Sequence, residues 1–153
     1  MMRMSTSLSR RRQGAVAAAR AALGVRFRPQ GRDPALGLDC IGLVLLAAAG
    51  AGVTIGPLPA YALSGDHDRL LADTLRAIGC TRVRRGQPGD LVQYRLAPGH
   101  HHLALLSDAG IIHAHAGLGR VVEAPAPAEW PVVALWSLPG VRRHQERRLA
   151  WQP

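Results

Sequence analysis

Cys40 and a group of histidines are the residues of this sequence whose types could carry out covalent chemistry. Cys40 precedes an apolar run, Ile41 to Ala49, that contains no charged side chain. Such a run predicts a helix buried on all sides, with Cys40 in its first turn. A thiol there can act as a nucleophile if an imidazole lies within hydrogen-bond distance. The alternative is an inert thiol, since free cysteines usually pack as small hydrophobic residues.

The start of the predicted helix affects the ionisation of the Cys40 thiol. Asp39 is the expected N-cap residue, and Gly50 and Gly52 are expected to end the helix. Unpaired backbone N–H groups and the positive end of the helix dipole favour a thiolate, and they could receive an oxyanion. A charged Asp39 opposes that effect, so activation of the thiol requires a base.

Five of the seven histidines fall in one predicted hairpin: His100, His101, His102, His113 and His115. If a two-residue loop closes this hairpin, paired residues have numbers that sum to an odd value. His102 then shares a sheet face with His113 and His115. These three residues can supply a general base, His102, and a group that fixes its tautomer, either His113 or His115.

A metal site is another possible use of the same histidines. His100, His102, His113 and His115 could project from one face, and imidazoles bind zinc well. No carboxylate or second cysteine stands at a familiar ligand spacing from them, and a metal would compete for the base that Cys40 needs. We therefore expect no metal and no other cofactor.

The composition is that of one basic globular domain. The chain has 153 residues, 48% of them hydrophobic, and its formal net charge of +9 comes from arginine alone, without lysine. With few aromatic residues among the arginines, we expect no nucleic acid as partner. No apolar run approaches the roughly 20 residues that cross a bilayer, so we expect no membrane partner. Cys40 and Cys80 are too few for a disulfide framework, and Cys80 is predicted to be structural.

The order of predicted elements is helices first, then strands. Helices are predicted at 15–23, from Cys40 to about residue 49 and at 66–78, and strands at 91–95, 102–106, 111–115, 120–124 and 132–137. This order predicts an α+β fold in which the N-terminal helices pack on an antiparallel meander. We expect a flexible basic N-terminus at 1–13, a catalytic domain at 14–138 and a basic C-terminal tail at 139–153.

Four short motifs resemble those of the NlpC/P60 cysteine peptidases, particularly the short forms found among phage and gene-transfer-agent tail proteins. The motifs are Asp39-Cys40-Ile41-Gly42-Leu43-Val44, Gly89-Asp90-Leu91-Val92, His102-Leu103-Ala104-Leu105-Leu106 and Ile111-Ile112-His113-Ala114. Their order and separation agree with the family pattern. The resemblance covers the chain from Gly14 to Ser137.

The resemblance implies a papain-like α+β fold and hydrolysis of peptidoglycan stem peptides, typically between γ-D-glutamate and the following diamino acid. It implies that Cys40 is the nucleophile, His102 the general base and His113 the residue that orients the base. Phe27 would line the substrate cleft, and we also expect Asp39 and His115 to contact the substrate. No cofactor is implied.

The resemblance also implies a setting for the protein. We expect a cell-wall hydrolase made in the bacterial cytoplasm, carried in the tail of a phage-like particle with other tail proteins, and acting in the periplasm or cell wall. Because no convincing export signal begins the sequence, such a particle would bring the protein to the wall. The alternatives are a non-catalytic structural or adaptor protein of the tail and a histidine-bound metal protein.

Overall fold

Three helices, a six-stranded antiparallel sheet and a small two-stranded antiparallel sheet make up the part of the chain that the computed structural model describes, residues 2–55 and 67–141. The elements in order are α1 (Met2–Ala21), β1 (Arg32–Asp33), β2 (Gly37–Leu38), α2 (Cys40–Gly50), α3 (His67–Ala77), β3 (Thr81–Val83), β4 (Leu91–Ala97), β5 (His100–Ser107), β6 (Gly110–His115), β7 (Arg120–Ala124) and β8 (Val132–Ser137). The predicted α+β class is confirmed. Asp66, the predicted start of α3, lies outside the described residues.

The sheet is not the simple meander that the sequence predicted. Its strand order is β3-β8-β4-β5-β6-β7, so β4 to β7 form a meander while β8 returns to pair with β4. The connection at 125–131 is long enough for this return, and β8 covers a β4 edge that would otherwise expose unpaired backbone groups. β3, which the sequence analysis missed, pairs with β8.

The hairpin of β5 and β6 has the predicted two-residue loop. Ser107 pairs with Gly110 and Leu105 with Ile112, so the loop is Asp108-Ala109 and paired numbers sum to an odd value. The register prediction is therefore confirmed, and the side chains of His102 and His113 lie on the same face of the sheet.

The predicted flexible N-terminus at 1–13 is corrected by α1, which begins at Met2. Arg12 is buried, and its Nη1 donates to Asp90 Oδ1 over 2.7 Å, an oxygen that also accepts from Ser137 Oγ over 3.0 Å. Arg12 is thus part of the folded domain. At the other end, the buried side chain of Val141 extends the domain past residue 138. The rest of the predicted tail, 142–153, lies outside the described residues.

Two helices of small side chains pack closely beside the sheet. Gly14 of α1 meets Gly50 of α2, and a Cβ added at Gly14 would overlap the Gly50 carbonyl oxygen. Ala15, Ala19, Ala47 and Ala48 are fully buried in the same core. The close approach of the two backbones fixes the position of α2 relative to α1. No helix in the described segments is long and apolar enough to span a bilayer.

Replacing Gly14 with alanine tests this close approach. Gly14→Ala should destabilise the protein by about 2 kcal/mol through overpacking, although the same change in an exposed helix stabilises by about 1 kcal/mol. Urea denaturation measures the effect. As a control for helix propensity, Ala17→Gly on the exposed side of α1 should cost about 1 kcal/mol. A Gly14→Ala protein more stable than wild type would contradict the helix contact.

Candidate active site

Cys40 is the first residue of α2, as the sequence predicted. Asp39 has extended backbone angles and caps the helix, with its Oδ1 accepting from the backbone N–H of Gly42 over 2.9 Å. This bond satisfies one of the unpaired donors of the first turn. The Cys40 side chain is half-buried and packs against the main core.

The carboxylate of Asp39 also holds the loop before the helix. Oδ2 accepts from the backbone N–H of Gln30 over 2.8 Å, and Oδ1 accepts from Arg32 Nη1 over 3.1 Å. Only 1% of Asp39 is exposed. The structure therefore gives Asp39 a structural role in place of the predicted contact with substrate.

The thiol lies where two strands separate. The pairing of β5 with β6 ends at Leu105 and Ile112, although β5 continues to pair with β4 and β6 with β7. In this fork, the backbone amide of Leu103 faces the Cys40 sulfur. Leu103 follows His102 directly, so the start of α2 and the predicted base are brought to the same place.

Two histidines bridge the fork. His102 Nε2 and His113 Nδ1 are 2.8 Å apart and share a hydrogen bond. The second ring nitrogen of His102, Nδ1, takes no part in this bond. In the described part of the chain, no hydrogen bond joins the Cys40 sulfur to an imidazole. Of the three predicted groups, the two histidines are therefore in direct contact, and the thiol is not bonded to either of them.

An aromatic cluster that the sequence analysis missed covers the histidine pair. The Trp130 ring lies 5.9 Å from the His102 ring and 5.6 Å from the His113 ring, both nearly perpendicular, and 5.3 Å from Tyr94. Tyr94 pairs with His102 across β4 and β5. The alternation of β4 could have revealed Tyr94, but Trp130 lies in a loop without a periodic pattern.

The resting thiol is not activated by its position at the helix start alone. Burial raises the pKa of Cys40 to about 11, and the negative charge of Asp39 raises it further. Backbone N–H groups of Leu103, Ile41 and Cys40 face the sulfur and act in the opposite direction, but they do not offset the burial. The thiol is therefore protonated at neutral pH.

The histidine pair is uncharged at neutral pH. Burial lowers the pKa of His102 to about 3 and that of His113 to about 4, and repulsion from neighbouring imidazoles adds to both shifts. In the unfolded chain these rings accept protons near pH 6.5. The stability contributed by the neutral pair is therefore complete above about pH 6.5, and it is lost as the pH falls, because the unfolded state then binds more protons.

The remaining predicted residues lie around this centre. His115 Nδ1 accepts from the backbone N–H of Leu118 over 3.0 Å, and its ring is 5.2 Å from that of His113. Phe27 is half-buried beside the core and forms a β-bridge with Leu38, two residues before Cys40. His102 shares its ring hydrogen bond with His113 and not with His115.

A metal centre does not form from these residues. No group of three or more His, Cys, Asp or Glu side chains within 2–55 and 67–141 is arranged to hold a metal ion. His102 and His113 direct ring nitrogens at each other, and His100 is exposed at the start of β5.

The chemistry that this arrangement can perform is proton transfer between a thiol and a neutral imidazole whose other nitrogen is held by a second imidazole.

Two solved structures with the same architecture carry NlpC in their names. NlpC2 from Trichomonas vaginalis has a TM-score of 0.62 and 17% identity, over 84% of this chain and 48% of that one. The NlpC/p60 domain of the peptidoglycan hydrolase SagA has a TM-score of 0.58 and 22% identity, over 83% of this chain and 98% of that one. The chain has the NlpC/P60 fold. The sequence resemblance therefore predicted the fold correctly.

The same comparison extends to a mycobacterial enzyme. The peptidoglycan hydrolase RipB from Mycobacterium tuberculosis matches with a TM-score of 0.58 and 22% identity, over 86% of this chain and 66% of that one. The chain spans about half the length of NlpC2 from Trichomonas vaginalis. No family model matches the sequence, and no curated protein matches it.

Removing the aromatic cover should make the histidines easier to protonate. In wild type, neither His102 nor His113 should take up a proton between pH 7.5 and 5.5, whereas Trp130→Ala admits water and should bring their protonation into this range. NMR titration of the imidazole signals measures the protonation of both rings as the pH is changed. Val132→Ala, at an exposed position near the same loop, should leave both rings neutral. Wild-type titration near pH 6.5 would refute the shielding.

Proposed function

We propose that this protein is a cysteine endopeptidase that hydrolyses peptidoglycan stem peptides. The observation that carries the proposal is the hydrogen bond between His102 and His113 beside the Cys40 thiol, on the fold of the peptidoglycan hydrolases SagA and RipB. The bond that we propose for cleavage is the amide between γ-D-glutamate and the following diamino acid.

Cys40 acts as the nucleophile and His102 as the general base. For His102 Nδ1 to accept the thiol proton, Nε2 must carry the ring hydrogen and donate it to His113 Nδ1. His113 thereby fixes the tautomer and stabilises the imidazolium that forms. The sulfur attacks the stem-peptide carbonyl carbon, and the Cys40 backbone N–H helps to hold the oxyanion.

The second half of the reaction restores the resting state. His102 gives its proton to the leaving amine, and the C–N bond breaks to leave a thioester on Cys40. Water then attacks the thioester with His102 as base, which releases the carboxylic acid and the free thiol. No metal or organic cofactor takes part. Because the Cys40 thiol and the His102 imidazole are both uncharged at rest, transfer of the thiol proton accompanies the attack and does not precede it.

The proposed setting is the tail of a phage-like particle. The protein would be made in the bacterial cytoplasm, assemble with other tail proteins and act on the wall from the periplasm. The support is the resemblance of the sequence motifs to the short tail-associated forms of the family. The bound partner is then peptidoglycan, with neither nucleic acid nor membrane involved.

A non-catalytic tail protein is the second candidate. The raised Cys40 pKa, and the lack of a bond from its sulfur to an imidazole among the described residues, favour it. The two candidates differ in whether His102 removes the thiol proton when an electrophile approaches.

Muropeptide digestion tests the enzymatic proposal. Wild type should release the two peptide fragments, and Cys40→Ala should lower the rate by about 10⁴ or more, because no other thiol can replace the nucleophile. Cys80→Ala is the matched control, since Cys80 is a buried thiol away from the fork, and it should keep full activity. Equal rates for wild type and Cys40→Ala would reject the nucleophile.

Two substitutions at His113 separate its positioning role from simple packing. His113→Ala should reduce kcat by about 10² to 10⁴ with little change in KM, because the base loses its tautomer control. His113→Asn retains a hydrogen-bond acceptor and should recover part of that loss. If alanine and asparagine give the same rate, the hydrogen bond does not orient the base.

Alkylation of the Cys80→Ala protein by iodoacetamide distinguishes the two candidates. With a pKa of about 11, only about one Cys40 thiol in 10⁴ is ionised at pH 7. A working base should make the reaction much faster than this fraction allows, and His102→Gln should remove the excess. A rate no higher than that of the His102→Gln protein supports the non-catalytic candidate.

A further inference from the structure

A row of side chains runs from the histidine pair to the edge of the sheet. His115 of β6 pairs directly with Arg120 of β7, and Arg120 forms an antiparallel bridge with Arg26. Residues directly opposite each other across strands share a sheet face. Because the His113 and His115 rings lie on one face, 5.2 Å apart, Arg120 and Arg26 are on that face too.

Neither arginine has an acidic partner among the residues that the structure describes. The ion pairs of the described residues use Arg12, Arg20, Arg32 and Arg76, and none of them involves Arg26 or Arg120. Both side chains are exposed. Like charges directly opposite each other in a sheet are destabilising, so this pairing has a cost that no described carboxylate offsets.

The acidic residue nearest in the sheet faces the other way. Glu123 is the only acid in β5, β6 and β7, and it pairs with Ile112, which places it on the helix side of the sheet. There it accepts from Arg20 over 2.9 Å. The face that carries His102, His113, His115, Arg120 and Arg26 is thus basic, and it is complementary to an anionic ligand.

We propose that Arg26 and Arg120 form a carboxylate-binding subsite for the peptide that the Cys40 centre cleaves. The proposal rests on the proposed function for the position of the scissile amide. Residues diagonal to each other on neighbouring strands, as His113 and Arg120 are, lie about 7–8 Å apart. The bound carboxylate therefore belongs to a residue within about two positions of the scissile bond. Arginine suits this ligand because its guanidinium binds a carboxylate through two parallel hydrogen bonds.

Binding to the full-length Cys40→Ala protein tests the subsite without turnover. The probe is a synthetic stem peptide with free carboxylates, compared with the same peptide in which the carboxylates are carboxamides. The Cys40→Ala protein should bind the carboxylate form at least about tenfold more tightly, as expected for charge-assisted bonds. Adding Arg26→Gln and Arg120→Gln together should reduce this preference to about twofold or less.

A matched control separates a subsite from net charge. Arg84→Gln with Arg85→Gln removes the same two charges from exposed positions between β3 and β4, and it should keep the tenfold preference. An equal loss in both double variants would indicate a general charge effect and overturn the subsite. A full preference in the Arg26/Arg120 variant would overturn it as well.

The outcomes also separate this inference from the proposed function. If the carboxylate preference depends on Arg26 and Arg120 but wild type cleaves no stem peptide, the subsite stands and the enzymatic proposal fails. If wild type cleaves the peptide while carboxylate and carboxamide forms bind equally, the enzyme stands and the subsite is wrong. Far-ultraviolet circular dichroism confirms that each variant is folded.

Discussion

The buried carboxylate of Asp39 is the interaction on which the candidate site depends. One oxygen caps α2 through Gly42, and the other holds the preceding loop through the backbone of Gln30. Together these bonds place Cys40 in the fork between β5 and β6. The same negative charge disfavours ionisation of the neighbouring thiol, so the group that positions Cys40 also helps to keep its thiol protonated.

Burial decides the electrostatic state of the site. Helix-terminal N–H groups do favour a thiolate, but taking the sulfur out of water disfavours it more strongly. The aromatic cluster of Trp130 and Tyr94 has the matching effect on the histidines, which it covers on the side away from the helices. A neutral thiol and two neutral imidazoles can remain close together without mutual repulsion. The proposed reaction must therefore create charge in a place where water is scarce.

Local sequence signals predicted much of this structure. The breakers and the Asp39 cap predicted α2, and the two-residue loop predicted that His102 and His113 share a face. Long-range partners could not be predicted in the same way. The burial of Arg12 depends on Asp90, 78 positions later, and the return of β8 to β4 depends on which sheet edge is open. The pKa of Cys40 likewise depends on how deeply the fork encloses it, which no spacing of residues encodes.

The glycine and alanine contact between α1 and α2 also bears on how accurately the thiol is placed. Alanine and glycine have no rotatable side-chain torsions to freeze, so joining these helices loses little side-chain entropy. With no alternative rotamers at the contact, the two backbones have few ways to fit together. Helix α2 is then held in one orientation by the contact at its Gly50 end, and this orientation also sets the position of the sulfur at its other end.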